Sequence, residues 1–139
     1  MIYLSTTTIP QRIKNLDKSI KSLLNQSKKP DKIFINIPFK YRRFNETIKD
    51  DEIPKFDSSV VEITRCEDYG PATKLLGSLD KLEKNSLVIL FDDDHVYENY
   101  MVEKLSYFYS KAPNNAYSFY VHPLGNFGIG QGADGFGIN

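Results

Sequence analysis

Apolar and polar residues follow two different periods along this chain, and the switches between them lay out its elements. Ile2 to Thr6 reads as a first strand. Thr8 and Gln11 then stand at capping-box spacing, with Pro10 in the first turn, where its missing N–H costs little. Ile13, Leu16, Ile20, Leu23 and Leu24 follow at helical spacing, with lysines on the other face. Lys32 to Ile37 predicts a second strand, stopped by Pro38. The polar, basic stretch from Phe39 to Ser59 reads as a loop with room for a helical turn, and Val60 to Ile63 as a short third strand.

A second helix is predicted from Pro71, with Ala72, Leu75, Leu76, Leu79 and Leu82 on one side. Leu87 to Phe91 is unbroken and apolar, as expected of a parallel strand buried on both faces. A third helix over Glu98 to Ser110 puts Met101, Leu105 and Phe108 on one stripe, and Ala116 to Val121 is a predicted fifth strand. Strands and helices in this alternation predict an α/β fold, a mostly parallel sheet with flanking helices. The last stretch departs from the pattern. Six of the chain's eight glycines lie between Gly125 and Gly137, so residues 125–139 are read as a Gly-rich tail after an α/β domain over 1–124.

Composition narrows the classes. The 139 residues fit one domain, and 40 % hydrophobic with 26 % charged residues describe a folded chain, not a disordered one. Lysines and arginines balance aspartates and glutamates at 18 each, so no long-range pull toward nucleic acid or anionic lipid is expected. A lone Cys66 leaves no intramolecular disulfide and no zinc-type ligand set. No membrane span or signal peptide is read, which makes a cytoplasmic location the default expectation.

The candidate chemistry gathers at strand ends. Asp92-Asp93-Asp94 directly follows the apolar strand, and three adjacent carboxylates repel unless a cation or several donors compensate them. Hard oxygen ligands suit Mg²⁺ or Mn²⁺, and ligands of open α/β sheets bind beyond the carboxyl ends of the strands. The plainer account is a solvated acidic turn that opens the third helix. Thr6-Thr7-Thr8-Ile9-Pro10-Gln11-Arg12 offers hydroxyls, free N–H groups and a guanidinium for a base, ribose or phosphate, against a role in helix capping alone. Asp68-Tyr69-Gly70-Pro71-Ala72-Thr73-Lys74 is a turn that opens a helix; Gly70 permits close ligand approach, and Lys74 is either a phosphate-binding charge or an ordinary surface lysine.

Other motifs carry less. Gly130 to Gly135 has the spacing of a dinucleotide loop but no helix to follow it. His95 and His122 are distant in sequence. Lys40, Arg42 and Arg43, interleaved with Tyr41 and Phe44, are read as a solvated loop rather than a nucleic-acid surface.

Taken together, "TTTIPQR", "DYGPATKLLG", "FDDD" and "GADGFG" resemble glycosyltransferases of the GT-A fold. The pattern is similar to a bacterial and large-DNA-virus subgroup that includes the N-terminal domain of a chlorella-virus glycosyltransferase. The resemblance implies the nucleotide-binding, Rossmann-like half of that fold, a UDP-sugar donor, a carbohydrate or glycoconjugate acceptor, and Mn²⁺ or Mg²⁺. It implies that Asp94 ligates the metal bridging the diphosphate, that Asp92 contacts ribose or the metal shell with Asp93 beside it, and that Thr6, Thr7, Arg12, Tyr69, Gly70, Pro71 and Lys74 surround the nucleotide. Such enzymes commonly keep a catalytic carboxylate in a later, acceptor-binding half, for which Asp134 is the one late candidate. The expectation is therefore donor binding with poor transfer by this chain alone, its tail ordering around the donor or in an oligomer. A non-catalytic nucleotide- or sugar-binding module is the alternative. A phosphoacceptor domain is disfavoured, because threonines stand after the first strand where its acidic pair belongs.

Overall fold

A computed structural model describes residues 1–118. The chain divides into two compact units, Met1–Glu103 and a second beginning at Lys104. The first unit holds a four-stranded sheet, β1 (Ile2–Thr7), β2 (Lys32–Pro38), β3 (Val61–Cys66) and β4 (Leu87–Leu90), in the order β3-β2-β1-β4. Every neighbouring pair is parallel. The expected α/β class is what the chain adopts, and strand order reverses between β1 and β4.

Burial explains which strands are central. Leu4, Ile33, Ile35 and Ile37 are fully buried, and Tyr3 and Phe34 pack ring against ring at 5.7 Å. Two-sided burial of β1 and β2 matches their apolar content. Strand β4 corrects an expectation: among the described residues it ends the sheet, and Leu90 is 48 % exposed. An apolar run shows that a strand is hydrophobic but not how many neighbours it has.

Helix α1 (Leu16–Leu24) follows a 3₁₀ turn at Ile13–Asn15 and buries Leu16, Ile20 and Leu23, as their spacing predicts. The capping box does not form. Neither the turn nor α1 has a side-chain cap, and the Thr8 hydroxyl is used elsewhere. The second predicted helix is also corrected. It is a 3₁₀ turn at Gly70–Ala72, a four-residue α2 (Thr73–Leu76) and another 3₁₀ turn at Leu79–Lys81. Its buried side is polar: Thr73 and Ser78 are fully enclosed, whereas Leu76 and Leu79 are exposed.

The third helix, α3 (Met101–Lys111), runs close to the predicted span. Buried Gln26 secures its start, donating to Glu98 O at 2.8 Å and accepting from Val102 N at 3.0 Å. In the second unit the Tyr117 hydroxyl donates to Ala112 O. Half of the fifth strand expected over 116–121 falls outside the described residues, and the 124/125 boundary, the Gly-rich tail, His122 and Asp134 lie wholly outside them. Among the described residues no helix is long and apolar enough to cross a membrane.

Candidate functional site

The site begins with how the acidic turn is held. Phe91 N donates to Ser5 O at 3.1 Å, continuing the β1–β4 ladder, and the Thr6 hydroxyl donates to Phe91 O at 2.9 Å. Asp92 N donates to the Tyr97 hydroxyl at 2.7 Å, and that hydroxyl faces Asp92 O at 3.1 Å. Burial, reinforced by the neighbouring aspartates, pushes the Tyr97 phenol up to about 12, so it stays neutral and able to donate. Ser19 of α1 adds a hydroxyl 2.6 Å from His95 O. The first-strand loop and the acidic turn thus lie side by side at the carboxyl edge, where strand order reverses, the usual ligand crevice of such sheets.

Each carboxylate has protein partners. Lys74 Nζ is bonded to Asp92. Asp93 is turned inward, only 2 % exposed, and takes the Thr8 hydroxyl at 2.6 Å and Arg12 Nη2 at 3.2 Å. Asp94 takes Arg12 Nη1 at 3.0 Å and His95 Nδ1 at 2.8 Å. The hydrogen bond from His95 holds the Asp94 carboxyl below the usual carboxylate range, with Arg12 adding to the effect against a smaller opposing push from desolvation. Arg12 Nε is enclosed and has no partner among the described residues.

Lys74 is aimed from its backbone. Its carbonyl accepts from Ser5 Oγ at 2.5 Å and Asn36 Nδ2 at 3.2 Å, while Tyr69 N donates to Thr73 Oγ1 at 2.9 Å. Gly70 stands at φ +60°, a conformation that side chains disfavour and glycine accepts freely.

Arg12 and Lys74 also line a cavity of about 500 Å³. Its walls are Thr7, Ile9, Pro38, Tyr69 and Pro71, together with Tyr41, Arg42, Arg43 and Phe44. Asp68 ties the walls together, accepting from Arg42 N at 2.7 Å and Gly70 N at 2.8 Å. Tyr41 is buried and donates to Thr8 O at 2.9 Å. Desolvation raises its phenol pKa, so that bond persists across the physiological range.

Of the residues the sequence singles out, Thr7, Arg12, Tyr69, Gly70, Pro71 and Lys74 meet at this cavity, and Asp92 and Asp94 lie at its edge through Lys74 and Arg12. Two occupy other places than expected. Thr6 is fully buried and ties β1 to the acidic turn, and Asp93 holds Arg12 from within rather than facing outward. Sequence reasoning missed Asp68 as a bridge. Lys40, Arg42 and Arg43 are exposed as a solvated loop requires, but sequence reasoning did not foresee that Tyr41 to Phe44 also wall a cavity. The usable signals were an aspartate two residues before a turn glycine and two aromatic residues inside a basic run.

The donor set bears on a divalent ion. Among the described residues no three His, Cys, Asp or Glu side chains converge as a metal cage. Asp92 and Asp94 keep 57 and 44 % of their side chains exposed. Two accessible carboxylates fit a hard cation that takes the rest of its shell from phosphate and water, as Mg²⁺ commonly does. They do not fit a resident ion caged by protein alone. No protein-family model matches this chain, and no curated protein matches it significantly.

Proposed function

We propose that this chain binds a nucleotide-sugar, in UDP form, with Mn²⁺ or Mg²⁺ at Asp92 and Asp94, as the donor-binding half of a glycosyltransferase. The observation that carries the reading is the continuity of cavity and triplet. One side offers aromatic and proline surfaces of nucleoside size, the other offers exposed carboxylates, and Arg12 and Lys74 belong to both. Pockets of this volume take ligands of nucleotide size. Arg12 and Lys74 would neutralise the diphosphate, Thr7 and the Gly70 turn would pack on the nucleoside, and Asp93 would keep Arg12 in place. In transfer, an acceptor hydroxyl would attack the anomeric carbon as the bond from that carbon to the diphosphate oxygen breaks, the hydroxyl's proton passing to a base or to the released diphosphate. A bound metal supplies Lewis-acid stabilisation of the leaving diphosphate.

UDP or a UDP-sugar is expected to stabilise the fold only with Mn²⁺ present, by about 2.7 kcal/mol at a hundred times its Kd. Asp94→Ala removes the metal-dependent part. Equal stabilisation in Mn²⁺ and in chelator would rule out the metal role.

One observation favours a second reading, a module that binds without transferring. Each of Asp92, Asp93 and Asp94 is engaged by a protein donor. The readings part on acceptor-dependent UDP release from UDP-sugars, compared between this chain, Asp94→Ala and Asp134→Ala. Release that depends on both aspartates supports transfer, and binding without release supports the module.

A further inference from the structure

The two exposed carboxylates proposed to hold a metal are already engaged. Lys74 is bonded to Asp92, Arg12 lies 3.0 Å from one Asp94 oxygen, and His95 lies 2.8 Å from the other. A divalent ion approaching this pair meets an ammonium and a guanidinium at close range, and like charges there oppose it. A diphosphate approaching alone meets the reverse problem. The cations that should receive it are spent on carboxylates, and three negative charges stand behind them.

Both barriers vanish together. If the metal takes the carboxylates, Lys74 is released from Asp92 and Arg12 Nη1 from Asp94, while Arg12 Nη2 stays on Asp93, and both side chains already line the cavity where the nucleotide is proposed to sit. If a diphosphate takes the cations, Asp92 and Asp94 are uncovered. We infer that Lys74 Nζ and Arg12 Nη1 are exchangeable counter-ions of Asp92 and Asp94, so that metal and nucleoside diphosphate bind as a mutually dependent pair. The inference rests on the donor-site reading above and adds to it the order of ionic contacts.

Two features make the exchange a matter of side chains alone. The Lys74 carbonyl is fixed by Ser5 and Asn36, so its backbone stays while the four-carbon stem swings. Arg12 Nη2 stays anchored on buried Asp93 at 3.2 Å, so only the Nη1 contact with Asp94 has to change.

Coupling of this kind is reciprocal: the factor by which UDP tightens the metal is the factor by which the metal tightens UDP. The test titrates the full chain with Mn²⁺, followed by the electron-paramagnetic signal of the free ion, with and without saturating UDP. Calorimetry of UDP with and without Mn²⁺ gives the reciprocal measurement. Wild type is expected to bind UDP without Mn²⁺ too weakly to stabilise the fold, and to show mutual tightening on the order of a hundredfold. Lys74→Met, neutral and of similar length, is expected to bind Mn²⁺ alone several-fold more tightly and to lose most of the coupling. Lys74→Arg is expected to restore the wild-type pattern. A purely structural role for Lys74 would not tighten the metal.

Independent binding of Mn²⁺ and UDP by wild type overturns the exchange without any variant. Unchanged Mn²⁺ affinity in Lys74→Met also overturns it, while paired binding by wild type leaves the donor-site reading standing. No binding of Mn²⁺ or UDP by wild type in any combination overturns both.

Discussion

Asp93 shows how adjacent identical residues acquire different jobs. Its neighbours face outward, while it is enclosed between the Thr8 hydroxyl and Arg12. A buried carboxylate that loses a donor bears the desolvation penalty. Thr8→Val is therefore expected to destabilise the fold by about 1–3 kcal/mol in urea unfolding, and Thr8→Ser to stay near wild type. Thr8→Asp separates this role from helix capping. A cap position tolerates aspartate, but against Asp93 it sets two carboxylates together and should be the worst of the three. Near-wild-type stability of Thr8→Asp would return Thr8 to a capping role. The triplet itself was legible in the sequence, but its inward member was not, because Thr8 is 85 positions away and its residue type suits a cap equally well.

The segment from Gly70 to Lys81 carries the element-scale lesson. Leucine spacing predicts a helix with a leucine face inward, yet the chain buries Thr73, Gly77 and Ser78. The reason lies in what the segment meets. Strands β1 and β2 present Ser5 and Asn36 there, and these bond the Lys74 carbonyl and lie near Ser78. Close approach requires glycine at 77, where a Cβ would stand 2.6 Å from Asn36 Cβ and 2.9 Å from Thr73 O. Gly77→Ala is expected to cost about 1–3 kcal/mol in thermal or urea unfolding through overpacking, although alanine is the better helix former. A gain in stability would mean that helix propensity, not contact with Asn36, governs the position.

Across the whole first unit, Glu62 of β3 links β2 and the turn before β4. It lies 3.2 Å from Lys32 Nζ and 2.5 Å from Lys81 Nζ. The hydrogen bond from Lys81, with help from Lys32 and against some desolvation, holds the Glu62 carboxyl below its ordinary range. The folded state thus favours the ionised form. Its contribution is present above the ordinary glutamate pKa of roughly 4.3 and is lost as pH falls through the lower folded value. Largely solvated pairs are worth about 0.2–1 kcal/mol, so Glu62→Gln should melt slightly below wild type at pH 7. That difference should close as pH falls below the ordinary glutamate value and through the lower folded one. A gap that does not narrow as the solution is acidified would assign the effect to packing.

The sequence by itself determined the alternation of strands and helices, the α/β class, and the placement of an acidic triplet and a threonine loop at strand ends. Those are local properties, written in periods of two and near four that any window of the chain displays. Tertiary structure alone decided what neutralises each carboxylate, which face of the 70–81 segment is inside, and that the 40–44 stretch walls a cavity. It also decided that β4 ends the described sheet. Arg12 and Asp94 are 82 positions apart, and Tyr41 and Thr8 are 33 apart. No local pattern encodes such a meeting. It depends on β1 standing between β2 and β4, which brings the loops that follow all three strands to one edge. The polar surface of Ser5 and Asn36 then outweighs the leucine stripe, because buried hydrogen-bonding groups left unpaired are penalised more than exposed leucines are.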